Sequence, residues 1–283
     1  MYYKFLILSI GLMLGWTAQA QQTLVYGTGR TASGAMDLLA DLYQPRGACT
    51  SPRPTAVYAH GGGFRTGSRQ TNKARTMAAA YTRAGFNFVS IDYRLHGDDP
   101  VINPVFEARI AAGQSGENYP GQARAAAAAM EDMNTAMRAL ANNAAVFCVD
   151  PEALIVLGSS AGAVMALNYG YSMDEFGIAV PDVAAVIDLW GASLNPSHID
   201  RGDVPLFIVH GEQDTTTPFA AAEAYWARGQ ATGTPVHFHA FQNTGHGVDL
   251  RRRVDDERLV SLIVAFSEDV VAGRPIQSVR TRN

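Results

Sequence analysis

The chain has 283 residues, 47% of them hydrophobic, with 22 Lys and Arg against 26 Asp and Glu and only two cysteines. A formal charge of −4 gives no electrostatic footprint for a nucleic-acid partner, and none is expected. The length and apolar content suffice for one large α/β core, and two cysteines permit at most one disulfide within the chain.

Residues 1–20 read as a secretory signal peptide. Lys4 precedes an apolar run from Phe5 to Trp16, and Ala18-Gln19-Ala20 has the small-x-small form of a cleavage site. The run is shorter than the roughly 20 residues a spanning helix needs. The mature chain, 21–283, is therefore expected as a single domain without a membrane span, secreted or periplasmic.

Thr23 to Tyr26 and Met36 to Tyr43 read as two short strands of an antiparallel edge hairpin, with Gly27 to Arg30 and Ser33-Gly34 as turns. After a loop from Pro45 to Pro54, Thr55 to Ala59 is an apolar strand that stops at His60-Gly61-Gly62-Gly63-Phe64. Helix and strand then alternate: a helix over Thr71 to Arg83, a strand over Asn87 to Asp92, a long helix over Gln122 to Asn142 and a strand over Leu154 to Leu157. A helix over Ser160 to Tyr171 follows, then strands at Val183 to Leu189 and Leu206 to Val209, a helix at Pro218 to Gly229, a strand at Val236 to Phe241 and a closing helix at Asp255 to Val271. This rhythm predicts right-handed crossovers and a mostly parallel sheet with helices on both faces. The connection 95–120, rich in Gly, Asp, Pro and Asn, reads as a long loop or small cap. The alanine run Ala125 to Ala129, flanked by Met130, Met133 and Met137, reads as a helix lying close on the sheet.

At Ala153 to Ala163 the apolar strand meets a Gly-x-Ser-x-Gly pattern, Gly158-Ser159-Ser160-Ala161-Gly162, and runs on into a helix. A serine on such a sharp turn projects its hydroxyl off the sheet edge, and small neighbours relieve the crowded backbone. Ser160 is the candidate nucleophile. A hydroxyl is weakly nucleophilic at neutral pH, so a base and a group that orients the base must accompany it. Among the histidines, His246 in Asn243-Thr244-Gly245-His246-Gly247 occupies a loop between the last strand and the last helix and is the candidate base. Asp214, just past a strand and ahead of Pro218, is the candidate acid, with Asp188, Glu212 and Asp249 as alternatives. A helix-capping role for Asp214 is the competing reading, although Thr217 is placed to cap instead. Gly62 and Gly63, with Ala161 after the nucleophile, are the candidate amide donors for an oxyanion. No cofactor or metal is expected. Phe64, Tyr93, Trp190 and Phe219 belong either to a pocket or to the core.

The ordered set His60-Gly61-Gly62-Gly63-Phe64, Asp92-Tyr93-Arg94, Gly158-Ser159-Ser160-Ala161-Gly162, Asp214 in its His-Gly-x-x-Asp turn and Gly245-His246-Gly247 resembles the α/β-hydrolase superfamily. Within it, the chain resembles the esterase/lipase branch of hormone-sensitive-lipase-like and feruloyl-esterase-like carboxylesterases. The resemblance implies an eight-stranded sheet, a Ser160-His246-Asp214 triad and an oxyanion hole from the Gly-rich turn. It also implies that Asp92 and Arg94 support that turn. Ala163, where many relatives carry glycine, and the long 95–120 segment depart from the pattern. In the family layout the strands before the Gly-rich turn and before the elbow are parallel neighbours, which implies a Cys49–Cys148 disulfide at the opposite sheet edge, with a Cα separation below about 7 Å.

The resemblance implies a serine hydrolase acting on a small-molecule or polysaccharide-linked carboxylic ester. A serine exopeptidase or amidase on the same fold, and a non-catalytic ligand-binding member, are the alternatives. N-terminal sequencing of the exported protein is expected to begin at Gln21. A mature chain beginning at Met1 would contradict the signal-peptide reading.

Overall fold

Apolar strands that alternate with helical segments can bury both faces of a sheet only if the strands run parallel and the helices cross over them. The computed structural model describes residues 20–111, 120–192 and 195–283. The expected signal peptide, up to residue 19, and the middle of the 95–120 connection lie outside the described residues.

The first half of the chain forms β1 (Ala20–Thr31), β2 (Gly34–Gln44), β3 (Arg53–Ala59), α1 (Asn72–Arg83), β4 (Asn87–Ile91), α2 (Pro104–Ala111) and α3 (Pro120–Asn142). A single turn, α4 (Ala144–Phe147), leads into β5 (Val149–Ser159), α5 (Ala161–Tyr171), β6 (Ala185–Leu189) and β7 (Leu206–Gly211). The rest comprises α6 (Phe219–Thr232), β8 (Val236–Phe241), β9 (Arg253–Val254), β10 (Glu257–Arg258), α7 (Leu259–Val271) and β11 (Val279–Arg282).

Among the described residues one nine-stranded sheet runs in the order β1-β2-β4-β3-β5-β6-β7-β8-β11. β1 and β2 pair antiparallel, β2 meets β4 antiparallel, and the strands from β4 to β11 are mutually parallel. The mostly parallel α/β class and the N-terminal edge hairpin are as expected. One apolar layer places Met133, Met137, Val164, Ala222 and Tyr225 against one face of the sheet. The other packs Met77, Tyr81, Leu259 and Ile263 from α1 and α7 against the opposite face.

Three local expectations change. The sheet has nine strands rather than eight, because the C-terminal Val279–Arg282 adds to β8. That strand carries two arginines, which pair with Glu223 and Glu212, as suits an edge that must resist further pairing. Gly27 and Gly29 are strand residues rather than turn residues. A Cβ on Gly27 would lie 2.5 Å from Thr135 Cγ2 of α3, and one on Gly29 would lie 2.5 Å from Arg94 Cδ, so these glycines admit neighbours. The expected helix start at Asp255 is a small hairpin of β9 and β10, with Asp255 at φ 50° in its turn. Helix α7 begins only at Leu259. The described part of the 95–120 connection, expected as a long loop or small cap, contains α2, whose Phe106 joins Ile102, Ala127, Ala128, Met130 and Met173 in a separate apolar cluster.

The alanine run lies on the sheet as expected: Ala125, Ala128 and Ala129 are fully buried, and α3 closes on β1 where glycine leaves room. Arg94, expected to support the Gly-rich turn, reaches α3 instead and pairs with Asp132 at 2.7 Å and Glu131 at 2.8 Å. Support for the turn comes from Tyr93, whose hydroxyl donates to the His60 carbonyl at 2.7 Å, and from Asp92, which accepts from the Arg69 amide at 2.6 Å.

β3 and β5 are parallel neighbours, with Arg53 opposite Val149 at one end and Ala59 opposite Gly158 at the other. Cys49 and Cys148 precede these strands and are joined, with Cα atoms 5.9 Å apart and a sequence separation of 99. Closing so long a loop constrains the unfolded chain. The Cys49→Ser/Cys148→Ser double variant is expected to lose roughly 2–5 kcal/mol of stability, read as a lower denaturation midpoint. An unchanged midpoint would contradict a stabilising bridge.

Candidate active site

The site begins with a backbone that has little room. Ser160, between β5 and α5, sits at φ 53° and ψ −119°, a region that costs a non-glycine residue of order 1–3 kcal/mol. Its amide donates to the Leu189 carbonyl at 2.9 Å, and its carbonyl accepts from the Ala163 and Val164 amides at 2.9 and 3.0 Å. Glycines on either side make this possible. A Cβ on Gly158 would lie 2.1 Å from Gly162 C, and a Cβ on Gly162 would lie 2.1 Å from the Ala59 carbonyl oxygen of β3.

Because β3 and β5 end side by side, the turn after β3 is brought against the elbow. A Cβ on Gly61 would stand 2.9 Å from Ser159 O and 3.2 Å from Ser160 Cβ. Gly62 and Gly63 follow at φ 132° and 61°, and Gly62 is closed over Thr66, whose carbonyl oxygen a Cβ would meet at 1.9 Å. Among the described residues, the amides of Gly62, Gly63 and Ala161 are taken up by no backbone acceptor. Gln122, at the start of α3, donates to the Gly63 carbonyl at 3.1 Å. The start of α3 thus touches the Gly-rich turn.

β7 and β8 carry the remaining groups to the same edge. The 243–247 loop after β8 folds over the end of β7, where a Cβ on Gly211 would meet the Thr244 and Gly245 carbonyl oxygens at 2.3 and 2.4 Å. This places His246 Nε2 2.9 Å from Ser160 Oγ and His246 Nδ1 2.8 Å from Asp214 Oδ2. A carboxylate accepts, so Nδ1 carries the proton and Nε2 presents its lone pair to the serine hydroxyl. Burial works to raise the Asp214 carboxyl, yet hydrogen bonds from the Thr217 amide, His246, the Thr217 hydroxyl and the Thr216 amide outweigh it and leave the group below its usual range. The Asp214 side chain is fully buried and anionic, and it fixes the imidazole.

Thr217 does not cap α6, whose N-cap is Pro218. Instead its hydroxyl lies 2.8 Å from Asp214 Oδ2, 3.0 Å from the Trp190 carbonyl oxygen and 3.2 Å from His246 Nδ1. Its sequence position beside Pro218 resembled a cap because local spacing does not reveal what a strand-end turn faces.

The alternative acids are engaged elsewhere. Glu212 pairs with Arg282 at 2.6 Å and Asp249 with Arg251 at 2.8 Å. Asp188 accepts from the Gly191 amide at 2.5 Å, and among the described residues its Oδ2 is buried without a partner. His210, at the end of β7, is also fully buried. Its Nε2 lies 3.0 Å from the Thr217 carbonyl oxygen, so that nitrogen bears the proton, and burial pushes the ring's pKa down. His60 turns onto the Gly61 carbonyl at 2.8 Å and stacks on Tyr93 with ring centroids 4.3 Å apart. Phe64, Tyr93 and Trp190 are buried in the core, and Phe219 packs against it. Among the described residues no group of three or more His, Cys, Asp and Glu is gathered to hold a metal ion.

Comparison with known proteins places this geometry in context. The BD-FAE family model matches residues 40–111 and 118–193, and the Prolyl oligopeptidase family model matches residues 190–273. Esterase 2 of Thermogutta terrifontis phosphorylated by paraoxon superposes with a TM-score of 0.66 at 19% identity, over 89% of this chain and 94% of that one. A truncated carbohydrate esterase from gut microbiota superposes with a TM-score of 0.66 at 16% identity, over 89% of this chain and 96% of that one. Among curated sequences, the non-reducing polyketide synthase pkbA of Emericella nidulans is 28% identical over 232 residues, 78% of this chain. The chain spans only 8% of that synthase's length.

The buried acid under the elbow makes a separate prediction. Asp188 lies opposite Gly158 in the parallel ladder, and burial pushes its carboxyl up to about 7, partly opposed by the Gly191 amide. The folded protein therefore keeps a proton that the unfolded chain releases near its ordinary carboxyl pKa. Stability from this group is greatest at acidic pH and falls as pH rises through that interval towards neutrality. Asp188→Asn is expected to shrink the loss of urea stability between about pH 5 and about pH 8 relative to the parent. An unchanged difference would contradict the assignment.

Proposed function

The chain belongs to the BD-FAE family of α/β-hydrolases, and on that premise we propose that it is a secreted serine hydrolase cleaving carboxylic esters through an acyl-enzyme on Ser160. The observation that carries the reading is the hydrogen-bonded series from Asp214 Oδ2 to His246 Nδ1 at 2.8 Å and from His246 Nε2 to Ser160 Oγ at 2.9 Å. Export is supported by the signal-like first twenty residues and by the Cys49–Cys148 bridge, which persists in an oxidising compartment. Residues 21–283 act as one catalytic unit in this reading.

Ser160 Oγ adds to the ester carbonyl while its proton passes to His246 Nε2. Asp214 keeps the ring in the required tautomer and stabilises the imidazolium that forms. The carbonyl oxygen becomes an oxyanion and accepts from the amides of Gly62, Gly63 and Ala161, each worth about 3 kcal/mol in the transition state. Collapse breaks the bond to the alcohol oxygen, which leaves with the proton from His246. Water then gives a proton to His246 and adds to the acyl carbon. The second collapse returns that proton to Ser160 and frees the carboxylic acid.

The carbohydrate esterase of the same fold favours an ester borne on a sugar or polysaccharide, alongside small-molecule esters. A peptidase or amidase reading is favoured by one observation, the match of residues 190–273 to the Prolyl oligopeptidase family.

Steady-state rates on a nitrophenyl acetate and an amino-acid nitroanilide separate the two. The parent is expected to turn over the acetate, and Ser160→Ala to lose roughly four to six orders of magnitude in kcat while keeping its fold. Ester turnover that persists in Ser160→Ala would overturn the mechanism, and turnover of the nitroanilide alone would install the peptidase reading.

A further inference from the structure

The mechanism makes no use of a groove on the α1 and α7 side of the sheet. It has a volume of about 660 Å³ and runs between α1 and the segment that follows His246. That volume is typical of ligand sites, and charged side chains make up much of its wall. Lys73, Arg75, Arg83, Arg251 and Arg258 line it, and Asp249 is the one acidic group among the lining residues. The chain as a whole carries a net charge of −4, so this concentration of cations runs against its overall sign.

The cations are mostly unspent. Among the described residues, Lys73, Arg75, Arg83 and Arg258 form no ion pair with a carboxylate, whereas Asp249 is held by Arg251 at 2.8 Å. Lys73 is the most telling of them. It is half-buried, its Nζ stands 4.2 Å from the ring centroid of Trp190, and burial alone lowers its pKa to about 8. Desolvating an ammonium without a counter-ion is costly, and an incoming anion offsets that cost.

The groove is joined to the candidate active site at two points. Val248, on its wall, is two positions past His246. Trp190, beneath Lys73, offers its carbonyl to Thr217, which also touches Asp214 and His246. A substrate whose ester carbonyl lies at Ser160 would carry neighbouring units towards these cations.

We propose that this groove is an anion subsite that takes a carboxylate-bearing stretch of the carbohydrate on which the ester is carried. The inference rests on the esterase reading for its carbohydrate and on Lys73, Arg83 and Arg258 for its charge. An open groove admits a polymer from the side, and unpaired guanidinium groups match carboxylates bidentately.

The test is affinity electrophoresis at low ionic strength of the full chain carrying Ser160→Ala, through gels containing polygalacturonate, neutral xylan or inorganic polyphosphate. Polygalacturonate is expected to retard the protein and xylan not to. Adding Arg83→Glu and Arg258→Glu is expected to weaken retardation at least tenfold in apparent Kd. The charge-matched control with Arg30→Glu and Arg201→Glu, two exposed cations outside the groove, is expected to keep it, and near-UV circular dichroism establishes that both are folded. The proposal is overturned by an absence of retardation, by equal losses in the two variants, or by retardation on polyphosphate alone, which would assign the anion as phosphate. Retardation without ester turnover by the Ser160 parent would sink the esterase reading and leave the anion site standing, while turnover without retardation would do the reverse.

Discussion

The structure depends on a backbone contact that only glycine permits. Gly162, at the start of α5, lies so close to the end of β3 that any Cβ would sit 2.1 Å from the Ala59 carbonyl oxygen, and Gly158 is as close to Gly162 itself. This contact drives α5 hard onto the sheet. Ser160 is then held at φ 53° by bonds that begin on a neighbouring strand and end on its own helix. The strain at one residue is sustained by the packing of three elements. The same closeness draws the Gly61-Gly62-Gly63 turn to Ser160, because β3 ends beside β5.

A second consequence is electrostatic. The sheet edge gathers groups that would each be uncomfortable alone in a low-dielectric core, and the structure treats them differently. Asp214 is buried but surrounded by donors, so it remains an anion and keeps His246 oriented. Asp188, one strand away, has among the described residues one donor and an unpartnered oxygen, so its carboxyl is raised and favours the protonated form. His210 is buried with its Nε2 3.4 Å from the Asp214 carboxylate, yet the cost of burying a charged ring outweighs that attraction, so its pKa is lowered and it stays neutral. Three titratable groups near one serine thus hold distinct protonation states, set by the number of donors each can reach.

Much of this was legible in the sequence because the decisive features are local. The Gly-x-Ser-x-Gly turn, the glycine run after β3 and the glycines flanking His246 are short patterns whose backbone demands only small residues meet. Their order along the chain, together with apolar strands spaced by helices, fixes the parallel sheet that collects them at one edge. The misses are non-local. Gly27 and Gly29 look like turn formers until α3 and Arg94 are seen to need the space. Val279–Arg282 is too charged to resemble a strand until β8 offers it an edge. Thr217 and Lys73 carry no motif at all, and their meaning arises only from contacts with Trp190, Asp214 and His246.

In the proposed mechanism one serine, made nucleophilic by His246, forms the covalent intermediate. Treatment with an organophosphate followed by peptide mapping tests it directly. A single adduct on Ser160 is expected, formed at least about a hundredfold more slowly in His246→Ala. An adduct on another residue, or full ester turnover by protein whose Ser160 is blocked, would contradict it.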